Sequence, residues 1–356
     1  MYTQEIEAFV NSFRAAIEEA GTPDNVFRLS RFIRNAAERG GTVYFLGNGA
    51  SASISSTLAF KCLAEHSISA LALTDHNLLL GMSRKGTFAT WMADSLQTLL
   101  KPNDALFLTS SSGESPNVVN AAELAAEIGV PTFSVTGFAQ DNRLRGLTSD
   151  ELWVDSTNYN VVESAHLFIG LMALRGVHSS DEEVSQDHAY CLRELFHVDW
   201  KERIKSLAEY SVDLAARNYD ENRIVFIGDG SSASLASHLA TDFSKSTLTA
   251  QAINDHSFLS ASQNDFGSTE WLNVGFDRSY RPGDEIILIT HSTLFPAEIA
   301  LLRRLHDSDI SFSYHGTQET EIDVPDGRKF LYPVSHPVNE LVLPSIGLLA
   351  VAEAFL

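Results

Sequence analysis

Cysteine is nearly missing from this chain: two occur in 356 residues, Cys62 and Cys191. Neither belongs to a CxxC pair or a histidine cluster, which argues against a disulfide scaffold or a structural zinc and makes the cytoplasm the expected compartment. Long apolar runs are missing too. The longest candidates, such as residues 167–174 (LFIGLMAL), fall far short of the ~20 residues of a membrane span. The opening stretch MYTQEIEAFVNSF is acidic and amphipathic, unlike a signal peptide. Basic residues are scarce: 25 Lys and Arg face 46 Asp and Glu, a formal net charge of −21. That balance argues against nucleic acid and membrane as partners. An anionic small ligand would need local donors to overcome the same field.

What is present suits a folded, two-domain chain. A hydrophobic content of 44% with 20% charged residues is ordinary for globular proteins, and the length points to two domains. Two segments match each other: TVYFLGNGASASISSTLAFK (residues 42–61) and RIVFIGDGSSASLASHLATDFSK (residues 223–245). Each reads as an apolar strand, a G-x-G turn and a helix of small and apolar residues. ALALTDH and AQAINDH follow at similar distances, then DALFLTSSS and DEIILITHS. The offset is about 180 residues, half the chain. The chain is read as a duplication with a β-α-β-α-β pattern in each copy, hence two doubly wound α/β domains with parallel sheets. The expected domains are residues 1–178 and 179–356, joined through the polar stretch VHSSDEEVSQDH.

The motif TSSSGESPN (residues 109–117) sits where an apolar strand ends and a helix begins. Open α/β sheets bind ligands at such junctions. The first turn of the helix offers free N–H groups and partial positive charge to an anion. Serine hydroxyls add small neutral donors, and Gly113 allows close backbone approach. A Ser-rich N-cap would show the same residues. GNGAS and GDGSS lack the third glycine of a dinucleotide fingerprint, so a nicotinamide cofactor is not expected.

Taken together, GNGxS, an Ala/Ser helix, SSSGxSPNVVNAA and a late NYxxVExxH resemble the sugar isomerase (SIS) domain. The resemblance covers nearly the whole chain as two tandem copies and is nearest to phosphoheptose isomerases of lipopolysaccharide and capsule clusters. It implies a flavodoxin-like fold packed as a pseudo-dimer, and a phosphosugar aldose–ketose isomerase working through an enediol. By matching position, Ser110, Ser111, Ser112 and Ser115 take the phosphate, with Asn48 and Ser51 nearby. Glu163 and His166 of the late segment, and Asp265 of NDFG, are further expected site residues. No cofactor is implied, and the expected partners are a small sugar phosphate and a second chain, giving a homo-oligomer.

The copies depart from the family pattern in opposite places. The first keeps the serine loop but carries Thr57 and Lys61 where phosphoheptose isomerases have a histidine and a catalytic glutamate. The second carries His238 and Asp242 there, while its loop reads THSTLFP, with Leu294 and Phe295 taken to replace the glycine and the residue after it. His238 and Asp242 are four apart and share a helix face. Asp242 is the expected base, His238 its partner and Glu163 the reserve; an ordinary polar helix face would read alike. Some relatives hold zinc, but Leu171 and Gly347 stand near the place of a needed late histidine, so no metal is expected. A sugar-phosphate-binding regulator and an aminosugar-phosphate isomerase or deaminase remain the alternatives.

Overall fold

The computed structural model describes all residues except Met1 and residues 218, 220, 247, 292–293, 309, 318–321, 323 and 325–327. The chain divides into two compact units, Asn11–Leu192, and Arg193–Leu356 with Met1–Val10. The first series of elements runs α1 (Tyr2–Ala20), α2 (Pro23–Glu38), β1 (Val43–Leu46), α3 (Ala50–His66), β2 (Ala70–Ala72), α4 (His76–Lys85), α5 (Trp91–Leu99), β3 (Ala105–Ser110), α6 (Pro116–Ile128), β4 (Thr132–Thr136), β5 (Asp150–Trp153) and α7 (Tyr159–Arg175). The second runs α8 (Asp181–His197), α9 (Trp200–Ala215), β6 (Ile224–Gly228), α10 (Ser231–Phe243), β7 (Ala250–Ala252), α11 (His256–Ser279), β8 (Glu285–Ile289), α12 (Pro296–His306), β9 (Phe312–Gly316), β10 (Lys329–Leu331) and α13 (Pro337–Glu353). Among the described residues, no helix is long and apolar enough to cross a membrane.

Each unit holds one parallel sheet, ordered β2-β1-β3-β4-β5 in the first and β10-β9-β8-β6-β7 in the second. The sequence explains why. Strands β1 (VYFL) and β3 (ALFLTS) are buried at every position, so helices must cover both faces, as a parallel sheet requires. On one face Phe45, Phe107 and Phe133 stack at 5.4 and 6.1 Å, and Phe32 of α2 reaches Phe133 at 5.4 Å. On the other face Tyr44, Leu46, Leu106 and Leu108 pack with Trp91, Met92 and Leu96 of α5 and the small residues of α6. The second sheet repeats this with Val225, Ile227, Ile286 and Leu288 against α11 and α12.

The strand order reverses between β1 and β3, and again between β6 and β8. A crevice opens at such a switch point beyond the strand ends. The G-x-G turn leaves β1 there and the serine loop leaves β3 beside it. The recurring Asp-His pairs are caps: Asp75 and Asp255 accept the N–H of Leu78 and Phe258, each at 2.8 Å.

Candidate active site

In the first unit Gly47 permits a tight turn, since a Cβ there would lie 2.6 Å from the Ser51 backbone. Ser51 is consequently buried at the start of α3. Asn48, which follows Gly47, exchanges two hydrogen bonds with Asn117 of α6, at 2.9 and 2.8 Å. This amide pair ties the glycine turn to the helix that the serine loop caps. Asn117 was missed from sequence; its signal is a fully buried amide directly after the N1 proline of the helix.

The serine loop is compact. Ser110 Oγ donates to Ser115 Oγ at 3.2 Å, and the N–H of Gly113 donates back to Ser110. Ser112 Oγ accepts the N–H of Glu114 at 3.2 Å. Ser111 Oγ donates to Glu163 Oε1 at 3.1 Å. Glu163 lies in the second turn of α7 and is buried. One unit thus brings together Asn48, Ser51, the four serines and Glu163. His166, one turn along α7, has Nε2 3.2 Å from Thr136 O. Burial holds its pKa down to about 4 against that bond, so the ring is neutral near pH 7. A phosphate here would meet neutral donors and no histidine cation.

In the second unit His238 Nε2 and Asp242 Oδ2 are 2.9 Å apart on the buried face of α10. Lys245 pairs with the other oxygen of Asp242. Burial alone would raise the Asp242 pKa, but His238 and Lys245 outweigh it and hold the carboxylate below its usual range. At the matching place in the first unit, Lys61 pairs with Glu65 at 2.6 Å. Asp265 is exposed on α11, two residues before the left-handed kink at Gly267, and accepts from Asn264 at 3.0 Å. A zinc ion would need about four ligands. This unit offers two candidate ligands, His238 and Asp242, and one oxygen of Asp242 is paired with the Lys245 ammonium.

Sheet register corrects the reading of the second loop. Leu108 pairs with Leu46 and Leu288 with Ile227, so Leu108 and Leu288 match and the offset is 180 residues. Leu294 and Phe295 therefore stand at the positions of Glu114 and Ser115. The counterpart of Gly113 is Thr293, which with Ser292 lies outside the described residues. Phe295 is the N-cap of α12, and its N–H donates to Glu298 Oε2 at 2.8 Å. His291 Nδ1 lies 2.8 Å from Ser232 Oγ.

Comparison with known proteins agrees with this architecture. The family model for the SIS domain matches residues 2–137. A phosphoheptose isomerase of Nitratidesulfovibrio vulgaris (strain Miyazaki F) is 31% identical over 153 residues, 41% of this chain and 73% of the relative. One from Akkermansia muciniphila is 28% identical over 172 residues, 47% of this chain and 89% of the relative. The chain belongs to the SIS domain family. Across its full length it shares the fold of tagatose-6-phosphate ketose/aldose isomerase from Escherichia coli, with a TM-score of 0.66, 14% identity, and coverage of 100% of this chain and 92% of that one. Glucosamine-6-phosphate deaminase from Thermotoga maritima aligns with a TM-score of 0.60 and 15% identity, over 99% of this chain and 94% of that one. The fold is therefore two tandem SIS domains.

Proposed function

We propose that this protein is a phosphosugar aldose–ketose isomerase acting on a heptose- or hexose-type phosphate. The observation that carries the reading is the serine loop at the β1/β3 switch point, with the buried carboxylate Glu163 bonded to Ser111. Hydroxyls and the N-terminal turn of α6 suit a phosphate within an acidic protein. In the reaction, a base takes the proton from the carbon beside the carbonyl, and the electron pair moves onto the carbonyl oxygen to give the enediol. The former carbonyl oxygen takes up a proton in forming the enediol. The other hydroxyl then gives up its proton to become the new carbonyl while the former carbonyl carbon receives the proton held by the base, which completes the interconversion. In this reading the first copy holds the phosphate and the second supplies Asp242 as base and His238 as its partner. Complementary retention supports it: the serine loop survives in one copy, the His/Asp helix in the other.

One observation favours a second reading, a sugar-phosphate sensor without turnover. Lys245 and His238 hold Asp242 ionised with a lowered pKa, which weakens it as a proton acceptor. Incubation with sedoheptulose 7-phosphate or fructose 6-phosphate in deuterated water, followed by NMR, separates the two. Deuterium entering the sugar carbon means isomerase chemistry. Saturable binding with no exchange means a sensor, and the isomerase proposal is then wrong.

A further inference from the structure

The serine loop has no regular structure of its own, yet its carbonyls and its acid are tied from one side. Gly137 N–H donates to Ser111 O at 2.8 Å, and Leu144 N–H donates to Gly113 O at 3.1 Å. Arg143 N–H donates to Glu114 Oε1 at 2.8 Å. All three donors belong to the turn that follows β4. At the centre of that turn is Asn142, a polar side chain only 3% exposed. Its Nδ2 lies 2.8 Å from Ala139 O, 3.2 Å from Thr136 Oγ1 and 3.4 Å from Gly137 O, and its Oδ1 accepts the Arg145 N–H at 3.4 Å. Its other role is steric. Gly113 has φ +66°, and a Cβ there would lie 2.0 Å from Asn142 Oδ1.

We propose that Asn142 is a positioning residue for the phosphate loop. Its amide braces the turn after β4, and its side chain walls Gly113 into the left-handed conformation that presents residues 110–115 to the ligand. The amide is the right group. It supplies hydrogens to backbone carbonyls that a carboxylate would repel, and it is short enough to abut the Gly113 backbone. Loss of the wall frees the loop, and binding then has to supply the cost of ordering it. The proposal rests on the serine loop being the phosphate site, and its test keeps the two ideas apart.

The experiment uses the full chain, with Asn142→Ala, Asn142→Asp and the milder Asn142→Ser, each read in two ways. Affinity for fructose 6-phosphate and for inorganic phosphate is measured by calorimetry, and amide exchange is followed at residues 111–114 against strands β1 and β3. Asn142→Ala is expected to weaken phosphate binding roughly 10- to 100-fold, comparable to a misplacement of about 1 Å. KM should rise with kcat little changed, because phosphate contacts act alike in ground and transition states. Loop amides should exchange faster while the strands stay protected, with Asn142→Ser between Ala and wild type. Gly113→Ala should destabilise the protein less in the Asn142→Ala background than in wild type, because the conflict with the amide is gone and only the Cβ of residue 142, 2.8 Å away, remains. Unchanged loop exchange together with additive Gly113 and Asn142 effects would overturn the proposal, even if binding fell. Wild-type protein that binds neither ligand would instead defeat the phosphate-site reading, while exchange and additivity still decide the role of Asn142.

Discussion

Ser111 and His291 stand at matching positions just past strands β3 and β8, and they are bonded in opposite ways. Ser111 donates to Glu163, leaving a turn of small donors. His291 instead engages Ser232, the counterpart of Ser51. The difference spreads through the neighbouring residues. Asn48 and Asn117 form the amide pair of the first copy, and Asp229 and Ala297 replace them in the second. Val118 becomes Glu298, whose carboxylate takes the Phe295 N–H at the start of α12. The second helix thus carries its own carboxyl group at its start, where the first has Val118. Among the described residues, a phosphate approaching it would meet Asp229 and Glu298. Duplication allows this, because a copy relieved of ligand binding can cap its helix internally.

The largest effect that could break this comparison is on turnover. If the second copy supplies the base, Asp242→Asn should reduce solvent deuterium incorporation by ~10²–10⁴-fold while phosphate affinity stays near wild type. The amide keeps the shape and the bond from Lys245, but cannot accept a carbon-bound proton. Full activity in Asp242→Asn beside a dead Glu163→Gln would place the base in the copy that keeps the phosphate loop.

Next in size is phosphate binding itself. Ser112→Ala removes one hydrogen bond to a charged group and should cost about 1.5–3 kcal/mol in affinity for fructose 6-phosphate. Ser292→Ala, at the matching position of the second loop, should change it little. Calorimetry showing equal losses for both would mean that the second loop still binds.

These tests reach residues that differ in how they could be read from sequence. The duplication, both sheets and the serine loop were legible because strand, turn and helix leave signals within about ten residues of one another. The i,i+4 spacing likewise announced the contact of His238 with Asp242. Lys245 is as close in sequence, but nothing in FSK marks it as the cation that holds Asp242. Asn142, and the bond that ties the expected Glu163 to Ser111, escaped for another reason. The two contacts run to Gly113 and Ser111, 29 and 52 residues away, and only the folded sheet order brings them together. The counterpart of Gly113 in the second loop is set by the pairing of β8 with β6, which local sequence does not show.

A smaller effect sharpens the contrast through pH. Burial pushes the Glu298 carboxyl up from 4.5 to about 7, with the Asp229 charge adding to it and the Phe295 N–H bond opposing. The folded state therefore holds this proton more tightly than the unfolded chain. The contribution is full below about pH 4.5 and is lost as pH rises through about 7. Urea unfolding should show stability falling by up to about 3 kcal/mol across that window. Glu298→Gln should remove that part of the slope and still accept the Phe295 N–H. An unchanged slope in the variant would show that the second helix is not capped by a strained internal carboxylate.

The smallest expected effect has the opposite sign and compares the two late helices. Helix α7 is capped by a neutral group, Asn158 Oδ1, which accepts the Val161 N–H at 3.0 Å. Helix α13 has a side-chain cap as well, His336 Nδ1 accepting the Val338 N–H at 3.3 Å, and draws besides on a charge from the end of α8. Glu194 accepts Ser335 N–H at 2.8 Å, Ser335 Oγ at 2.7 Å, His336 N–H at 2.9 Å and Asn339 Nδ2 at 3.4 Å. Partial burial would raise its pKa, but these donors outweigh it and carry the carboxyl from 4.5 down to about 2. The contribution is then present above about pH 4.5 and lost as pH falls toward 2. Because the side chain is largely solvated, roughly 1 kcal/mol is at stake rather than the full value of the shift. Glu194→Gln should therefore lower the unfolding midpoint at neutral pH by a few degrees and converge on wild type near about pH 2. Asn158→Ala should instead weaken its helix by a similar amount at every pH, since an amide does not titrate. Should both variants show the same pH-independent loss, the Glu194 cap contributes only as a neutral acceptor, and the two late helices are anchored by the same chemistry after all.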